Sequence, residues 1–332
     1  MKKILVTGGL GYIGSHTVVE LIANGYQPVI IDDLSNTNED VLMRIEKITG
    51  QKVPFYKEDV NHVDTLKNIL KDNAIEGVIH FAAYKAVGES VSEPLKYYRN
   101  NIGGMVALLT AMQQCNISNI VFSSSCTVYG EPDHSPVDES ATIKKANSPY
   151  GNTKQIGEEI LNDCQFLNTV ALRYFNPIGA HNTALIGELP LGVPNNLVPY
   201  ITQTAAGIRQ QITIFGNDYN TVDGTCIRDY IHVVDLAKAH VKALDFIQQN
   251  SDNHFEVFNI GTGKGYSVLE IIKAFETINQ VKLNYSFGER RAGDVEKVWA
   301  NATKAKVLLG WEATLNLEDM VGSAWAWQQQ LK

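Results

Sequence analysis

The most restrictive feature of this 332-residue sequence is a glycine-rich turn close to its start. Gly8, Gly11 and Gly14 follow a short β-branched run, Lys2–Val6, and precede a predicted helix, Ser15–Asn24. Glycines at this spacing permit a tight turn and let the backbone approach a pyrophosphate, whose charge then lies at the helix N-terminus. Although the spacing alone is weak evidence, its place between a strand and a helix predicts a dinucleotide-binding α/β fold.

Acidic residues end the next predicted strand, in which Pro28–Ile31 leads into Asp32 and Asp33. A carboxylate at this point accepts hydrogen bonds from the ribose hydroxyls of a dinucleotide and repels a 2′-phosphate, which favours NAD over NADP. The alternative is a strand–turn–helix unit with an ordinary acidic end. The glycine spacing just upstream argues against that alternative.

Later strands of the predicted βα alternation also end in residues that suit a nucleotide, and ligands of open parallel sheets lie at the carboxyl ends of strands. The cofactor candidates at these ends are Asp59 and Val60 after Val53–Tyr56, and Phe81, Ala82 and Lys85 at the end of Gly77–Phe81. Asn100 and Asn101 begin a long predicted helix, Tyr97–Gln114. A solvated loop lysine at 85 and purely structural hydrogen bonding by the asparagines are the open alternatives.

A predicted helix start further along carries the strongest chemical signal. Ser148 suits the N-cap and Pro149 the first helical position, so Tyr150 and Lys154 lie four residues apart on one face. An ammonium ~4 Å from a phenolate, in an effective dielectric of ~20, stabilises it by roughly 4 kcal/mol. We therefore expect Lys154 to lower the pKa of Tyr150 towards neutrality, where a general base works best. Two unrelated residues on a surface helix are the alternative, which the glycine turn and the serine run Ser123–Ser125 make less favourable.

Charge and cysteine content exclude several classes of function. The formal net charge of −8 argues against a nucleic-acid binder, which needs a basic surface, and requires local cations for any anionic substrate. The four cysteines, at 115, 126, 164 and 226, are far apart and predict reduced thiols in a cytoplasmic protein. The apolar run Ile4–Val6 is too short for a signal peptide or a membrane span, and the histidines lack metal-ligand spacing, so we expect no metal.

The length of the chain predicts two lobes. Residues 1–179 form a predicted Rossmann-type domain with a doubly wound parallel sheet, to which a segment at about 228–260 returns. Residues 180–227 and 261–332, where loops are longer and richer in Pro, Gly and Asn, form a smaller α/β substrate-binding lobe. The returning segment starts with the predicted strand at Arg228–Val233 and ends with the strand Glu256–Ile260.

Several motifs together resemble those of the extended short-chain dehydrogenase/reductases, and within that group the UDP-glucose 4-epimerase family almost end to end. They are the glycine turn, His80–Ala82, Lys85–Ser90, Phe122–Gly130 with Ser125, Tyr150-x-x-x-Lys154, Arg173–Pro177, Pro194–Leu197, Arg228–Val233 and Arg290–Asp294. The resemblance implies an enzyme with a Rossmann lobe that carries NAD and a smaller lobe that clamps a UDP-sugar.

The resemblance also implies roles for individual residues. Those expected to contact NAD are Gly8, Gly11, Tyr12, Ile13, Gly14, Asp32, Asp33, Asn36, Thr37, Asp59, Val60, Phe81, Ala82, Lys85, Asn100, Ser123, Tyr150, Lys154 and Tyr174. Those expected to contact the UDP-sugar are Lys85, Ser125, Tyr150, Phe175, Asn176, Asn196, Leu197, Phe215, Arg228, Arg291, Asp294 and Val298. Two guanidiniums suit a pyrophosphate and offset the negative charge of the chain.

The implied reaction interconverts UDP-galactose and UDP-glucose through a transient 4-keto sugar, with Tyr150, Lys154 and Ser125 as the catalytic residues and NAD retained. Dehydratases of the group carry an Asp-Glu pair where this chain has Cys126 and Thr127, so the resemblance makes dehydration less favoured. Decarboxylation of UDP-glucuronate is less favoured for a similar reason, because those relatives carry a glutamate in this run. A non-catalytic NAD-binding sensor stays open as a different class.

Two finer expectations also come from the resemblance. Family members restricted to UDP-glucose and UDP-galactose often carry a tyrosine at the position of Val298, so a valine there predicts acceptance of N-acetylated UDP-sugars, unless a neighbouring side chain fills the space. The family usually forms dimers through a helical bundle, which would use the helices near Tyr97–Gln114 and Gln155–Phe166. No membrane or nucleic-acid partner is expected.

Overall fold

The computed structural model describes residues 1–250, 254–291 and 293–331, so Ala292 of the Arg290–Asp294 motif lies outside the described residues. The strands are β1 Lys3–Thr7, β2 Gln27–Asp32, β3 Phe55–Lys57, β4 Gly77–His80, β5 Asn119–Ser125, β6 Asn168–Tyr174, β7 Asn176–Ile178, β8 Ile212–Phe215, β9 Ile227–His232, β10 Phe255–Ile260, β11 Gly265–Ser267, β12 Tyr285–Gly288 and β13 Lys297–Val298. The α-helices are α1 Tyr12–Ala23, α2 Asp40–Thr49, α3 Val63–Asp72, α4 Val87–Ser92, α5 Pro94–Tyr97, α6 Gly103–Gln114, α7 Pro149–Asp163, α8 Leu197–Ala205, α9 Val233–Gln249, α10 Val268–Asn279 and α11 Leu317–Gln330. Short helical turns occupy Tyr98–Ile102, Cys126–Tyr129 and Ala305–Leu309.

A seven-stranded parallel sheet forms the centre of the larger lobe, in the order β10-β6-β5-β4-β1-β2-β3. The strand order reverses between β1 and β4, which is the topological switch point where doubly wound sheets bind their ligands. The predicted Rossmann-type α/β fold is therefore confirmed. The glycine turn after β1 and the residues after β4 meet at this point.

Helices cover both faces of this sheet because each presents an apolar stripe to it. On one face, Leu21 of α1, Ile45 of α2 and Leu244 of α9 pack in one buried cluster. On the other face, Leu66 of α3 and Leu108 of α6 pack in a second cluster with residues of α7. Two continuous apolar layers thus hold the loops at the strand ends in fixed positions.

Among the described residues, the smaller lobe contains two short sheets and the helices α8, α10 and α11. Strand β9 pairs with β7, β11 and β13, while β8 and β12 pair with each other in parallel. Helices α8, α10 and α11 enclose a core that includes Ile201, Phe275 and Met320. No helix in the described part of the chain is long and apolar enough to cross a bilayer.

The predicted return to the first lobe at Arg228 differs from the structure in its first strand. Strand β9 belongs to the smaller lobe's sheet, whereas α9 and β10 return to the larger lobe, where β10 extends the main sheet beside β6. The residues of this strand do not reveal from the sequence which sheet they join, because sheet membership depends on tertiary pairing. The exact lobe boundaries remain a prediction.

Two predicted helices differ in detail. Helix α1 starts at Tyr12, three residues earlier than Ser15, so the last glycine of the turn lies inside the helix. The predicted helix Tyr97–Gln114 is divided, since a π-helical turn at Tyr98–Ile102 separates α5 from α6. Such single π turns occur frequently at functional sites, and this one carries Asn100 and Asn101.

Candidate active site

A cleft of about 640 Å³ opens above the carboxyl ends of β1, β2, β4, β5 and β6 and continues beneath the loop at residues 185–196 of the smaller lobe. Every residue predicted to contact NAD lines it. From the predicted substrate residues, the cleft also includes Ser125, Phe175, Asn176 and Asn196. The structure thus brings the predicted NAD residues and part of the predicted substrate set together at the switch point of the sheet.

Two positions of the glycine turn have a backbone geometry or a close contact that a side chain would disturb. Gly8 has a φ of +68°, and a Cβ on Gly14 would lie 2.2 Å from the carbonyl oxygen of Gly8. Gly11 caps α1 without a side-chain hydrogen bond, so the first amides of α1 have no side-chain acceptor at that position. A closely approaching backbone and free amides at a helix N-terminus fit a pyrophosphate.

Asp32 is held at the edge of this turn by backbone amides. Its carboxylate accepts from the amides of Leu10 and Leu34, each at 3.0 Å. Burial raises the pKa of Asp32, and these hydrogen bonds oppose the shift. Thr37 fastens the same turn by donating to the carbonyl of Leu10 at 2.8 Å. The carboxylate is therefore positioned before any ligand binds, as recognition of a ribose requires.

The predicted start of α7 is confirmed, since Ser148 caps it by accepting from the amide of Gly151 at 3.1 Å. Tyr150 and Lys154 follow on one face of this helix. The Lys154 ammonium donates to the carbonyl oxygen of Ser123 at 2.5 Å and lies 5.9 Å from the centre of the Tyr150 ring. Together with Ser125 at the end of β5, these residues form a compact polar group on the cleft wall.

The prediction that Lys154 lowers the pKa of Tyr150 towards neutrality was wrong for the protein without a bound cofactor. Burial raises the pKa of Tyr150 to about 12, and a hydrogen bond with Ser125 opposes that shift. Burial also lowers the pKa of Lys154 to about 7. The physical reason is that desolvation penalises both charged forms, while the ammonium is directed at the Ser123 carbonyl instead of the phenol oxygen.

The remaining polar residues of the cleft have distinct tasks. Asn101 is buried and holds the loop at Tyr84, by accepting from its amide at 2.9 Å and donating to its carbonyl at 3.0 Å. It is thus a structural residue, while Asn100 lines the cleft. The Tyr174 hydroxyl forms a short hydrogen bond with Ser123 Oγ, and burial raises the pKa of this tyrosine.

Comparison with known proteins identifies the family of this chain. The family model described as GDP-mannose 4,6 dehydratase matches residues 5–324. The UDP-glucose 4-epimerase of Bacillus subtilis (strain 168) is 50% identical over 329 residues, which is 98% of this chain and 96% of the relative. The chain belongs to the UDP-glucose 4-epimerase family.

Two solved structures of epimerases superpose closely on the fold. The UDP-glucose 4-epimerase of Stenotrophomonas maltophila, with bound NAD and formylated UDP-arabinopyranose, has a TM-score of 0.97 and 46% identity, covering 100% of this chain and 99% of that one. The Bifidobacterium longum epimerase, in complex with NAD⁺ and UDP, has a TM-score of 0.95 and 44% identity, covering 99% and 98%. The epimerase fold therefore extends over both lobes.

The other predicted substrate residues form a separate polar group in the smaller lobe. Arg291 pairs with both carboxylate oxygens of Asp294, at 3.1 and 2.7 Å, and Arg228 lies 3.7 Å from the same carboxylate. The Arg291 guanidinium lies 5.8 Å from the centre of the half-exposed Phe215 ring. Val298 pairs with Arg228 in the sheet and is buried. Leu197 begins α8, next to Asn196 of the cleft.

Sequence reasoning missed residues that brace the loop at 185–196. The Glu188 carboxylate accepts from Lys85 Nζ at 3.2 Å and from Asn196 Nδ2 at 2.6 Å, which connects the two lobes across the cleft. Lys85 is therefore paired with Glu188, and its side chain remains 45% exposed. Trp327 of α11 donates to the Glu188 carbonyl at 3.0 Å, and Arg44 of α2 stacks over the Trp327 ring. These contacts join residues that are far apart in the sequence, so spacing could not predict them. The Gly-Glu-Leu-Pro run indicated a loop at this position but not its contacts.

Proposed function

We propose that this protein interconverts UDP-galactose and UDP-glucose by inverting C4 of the hexose, with NAD retained in the larger lobe. The observation that carries the proposal is the convergence of Tyr150, Ser125 and Lys154 on one wall of the cleft that contains the glycine turn and Asp32. The family membership and the nucleotide ligands named for the two solved epimerases support the same function.

The cleft fits NAD on the evidence of its own atoms. A Cβ on Gly14 would collide with the backbone of Gly8 and Gly9, so glycine lets the turn close tightly against the start of α1, whose first amides line the cleft. The Asp32 carboxylate lines the same cleft where a ribose would lie. The residues that would hold NAD are the turn Gly8–Gly14, Asp32, Phe81, Lys85, Asn100 and Lys154. When bound, oxidised NAD supplies a hydride acceptor for C4 of the sugar and a positive charge near the phenol.

The protein's own groups manage the proton on the sugar 4-hydroxyl. Tyr150 accepts this proton as general base, and Ser125 hydrogen-bonds the same sugar oxygen and stabilises the charge that develops on it. Because burial raises the pKa of Tyr150 to about 12, nearby positive charge is needed to form the phenolate at neutral pH. Lys154 contributes to that charge only when it is protonated, and burial lowers its pKa to about 7.

The smaller lobe provides the binding of the UDP moiety. Arg228 and Arg291 offer two guanidiniums for the diphosphate. Asp294 orients both guanidiniums and does not contact the diphosphate itself, because a carboxylate would repel a phosphate. Phe215 offers a ring for the uracil. Asn176 and Asn196 reach the substrate from the cleft wall. Binding energy at the nucleotide then positions the hexose against Tyr150.

A coupled assay on purified protein tests the proposed function. UDP-galactose is supplied without added NAD, and formation of UDP-glucose is measured. We expect turnover, because a cofactor retained in the cleft is regenerated in every cycle. If there is no turnover, even after NAD is added, another nucleotide sugar or the non-catalytic sensor becomes the better assignment.

The structure argues against the rival dehydratase reaction, which needs an additional acid and base. Cys126 and Thr127 begin the short helical turn after β5, where the resemblance implies an acidic pair in dehydratases. Burial raises the pKa of the Cys126 thiol to about 12, so it remains protonated at neutral pH. Neither side chain therefore supplies the proton transfers that removal of water across C5–C6 requires.

We further propose that N-acetylated UDP-sugars are accepted. Val298 packs in an apolar cluster with Phe175, and Phe175 lines the cleft. A valine at this position leaves more space beside Phe175 than a tyrosine would. The acetamido group at C2 of UDP-GlcNAc or UDP-GalNAc requires such space.

Replacing Val298 by tyrosine tests this specificity. We expect Val298→Tyr to lower turnover of UDP-GalNAc at least tenfold, equivalent to ~1.4 kcal/mol, with less than a threefold change for UDP-galactose. The control is Val307→Tyr, which adds the same side chain at an exposed valine outside the cluster. If the wild-type protein and Val298→Tyr are equally inactive towards the N-acetylated sugar, the specificity proposal is wrong.

We propose a homodimer in the cytoplasm. The exposed apolar side chains Val91, Leu95 and Val106 lie on α4, α5 and α6, next to the helices through which the family usually dimerises. The four cysteines are free thiols, as expected for a reducing compartment. Sedimentation at several protein concentrations distinguishes a dimer from a monomer.

A further inference from the structure

A buried ion pair lies directly beneath the catalytic residues and has no part in the mechanism described so far. Glu158 and Arg173 are only 8% and 6% exposed. Arg173 Nε donates to Glu158 Oε1 at 2.9 Å and Nη2 donates to Oε2 at 2.6 Å. Ser124 Oγ donates to Glu158 Oε1 at 2.5 Å. Removing two charges from water costs free energy, and a buried ion pair often does not recover that cost in stability.

The pair joins the three elements that carry the catalytic residues. Glu158 belongs to α7, Arg173 to β6, and Ser124 to β5 between Ser123 and Ser125. The Arg173 guanidinium also lies 4.8 Å from the centre of the Tyr129 ring. A bidentate contact fixes orientation as well as distance. The carboxylate thus holds the end of β5 against α7 at the position of the catalytic serine.

Glu158 also lies one helical turn beyond Lys154, on the same face of α7. The ammonium of Lys154 is 4% exposed and lies 4.8 Å from the Phe122 ring centre, in surroundings that disfavour its charge. Burial lowers the pKa of Lys154 to about 7, and the negative charge of Glu158 opposes that shift. Glu158 is the nearby group that favours the charged ammonium.

The other titratable groups around Lys154 do not provide a charge. Tyr150 is on its own helix, His80 ends β4 and Tyr174 ends β6. Burial raises the pKa of both tyrosines and lowers the pKa of His80 to about 3, so all three are neutral at pH 7. Arg173 on β6 is positively charged but is engaged by Glu158.

We propose that Glu158 is a positioning residue for the epimerase reaction: with Arg173 it fixes the end of β5 and keeps the Lys154 ammonium charged beside Tyr150 and Ser125. Arg173 has a necessary part in this arrangement, because a carboxylate buried without a partner would take up a proton. The inference rests on the proposed function and adds the source of the charge that Tyr150 needs.

The pH dependence of turnover in the protein with its retained cofactor tests this inference. Glu158→Gln keeps the shape of the side chain and removes its charge, so the pKa of Lys154 falls. We expect the alkaline limb of kcat to move to lower pH by about one unit, so that turnover there falls about tenfold relative to wild type. The dissociation constant of UDP is expected to stay within a factor of two.

Two further variants make each outcome decisive. Glu158→Gln combined with Arg173→Gln removes both charges and leaves no buried cation without a partner. Because loss of the Arg173 charge offsets part of the loss of the Glu158 charge, its alkaline shift should be smaller than that of Glu158→Gln alone. Glu312→Gln removes an equal charge from an exposed pair with Lys306 and should leave the profile unchanged.

An equal loss of turnover at every pH would overturn the inference, because it would indicate a purely structural pair. If an active Glu158→Gln has an unchanged alkaline limb, this inference is wrong and the proposed function stands. If the wild-type protein turns over no UDP-hexose, the proposed function itself is wrong.

Discussion

Replacement of Tyr150 by phenylalanine is expected to lower turnover of UDP-galactose by about 10²–10⁴-fold, the contribution of a general base. The hydroxyl is the group that accepts the proton of the sugar 4-hydroxyl. Because the ring remains, the buried surface that Tyr150 contributes to the cleft is preserved. Initial-rate kinetics, together with the retained NAD and the dissociation constant of UDP, separate a loss of chemistry from a loss of binding.

The control for this substitution is Tyr285→Phe, which removes the same hydroxyl from a partly exposed residue on β12. It should retain the wild-type rate. If turnover of Tyr150→Phe falls less than tenfold with both ligands bound normally, Tyr150 is not the base. Ser125 would then be the next candidate, because it hydrogen-bonds Tyr150 on the same cleft wall.

The parts of the fold that could be predicted from the sequence depend on short-range geometry. The glycine turn, the acidic end of β2 and the Ser148 cap of α7 each involve residues within a few positions, so their spacing carries the information. The same holds for the carboxyl ends of the strands, because a parallel sheet gathers them at one edge. These local rules were enough to place the predicted cofactor residues in one cleft.

The parts that could not be predicted depend on tertiary contacts. Strand β9 mixes Arg, Asp and His with apolar residues, a pattern that does not assign it to either sheet. Only its pairing with β7, β11 and β13 decides the lobe. The contact between Lys85 and Glu188 joins residues on different lobes. No spacing in the sequence indicates that the loop at 185–196 crosses the cleft.

The pKa of Tyr150 shows why sequence spacing is insufficient for electrostatics. Four residues of separation on a helix predict a favourable Tyr–Lys interaction, but the sign of the net shift depends on burial, which raises the pKa instead. The ion pair of Glu158 and Arg173 was missed for a similar reason. Its importance comes from its burial beneath Lys154.

Replacement of Gly14 by alanine is expected to weaken NAD binding by roughly 5- to 150-fold, the equivalent of about 1–3 kcal/mol of overpacking. The added Cβ would lie 2.2 Å from the carbonyl oxygen of Gly8, and a backbone atom cannot rotate away as a side chain does. The turn must therefore move, and with it the amides that face the cofactor pyrophosphate. The NAD released on denaturing the purified variant, and the affinity for added NAD, measure the effect.

Gly88→Ala is the matched control, because a Cβ at this position in α4 meets nothing within 4 Å. It should keep its NAD and its melting temperature. If Gly14→Ala is folded but depleted of NAD, the glycine serves the ligand and the turn is the cofactor cradle. If it retains NAD as well as Gly88→Ala does, the cofactor does not depend on this turn, and the cleft must hold it mainly through Asp32 and the strand ends.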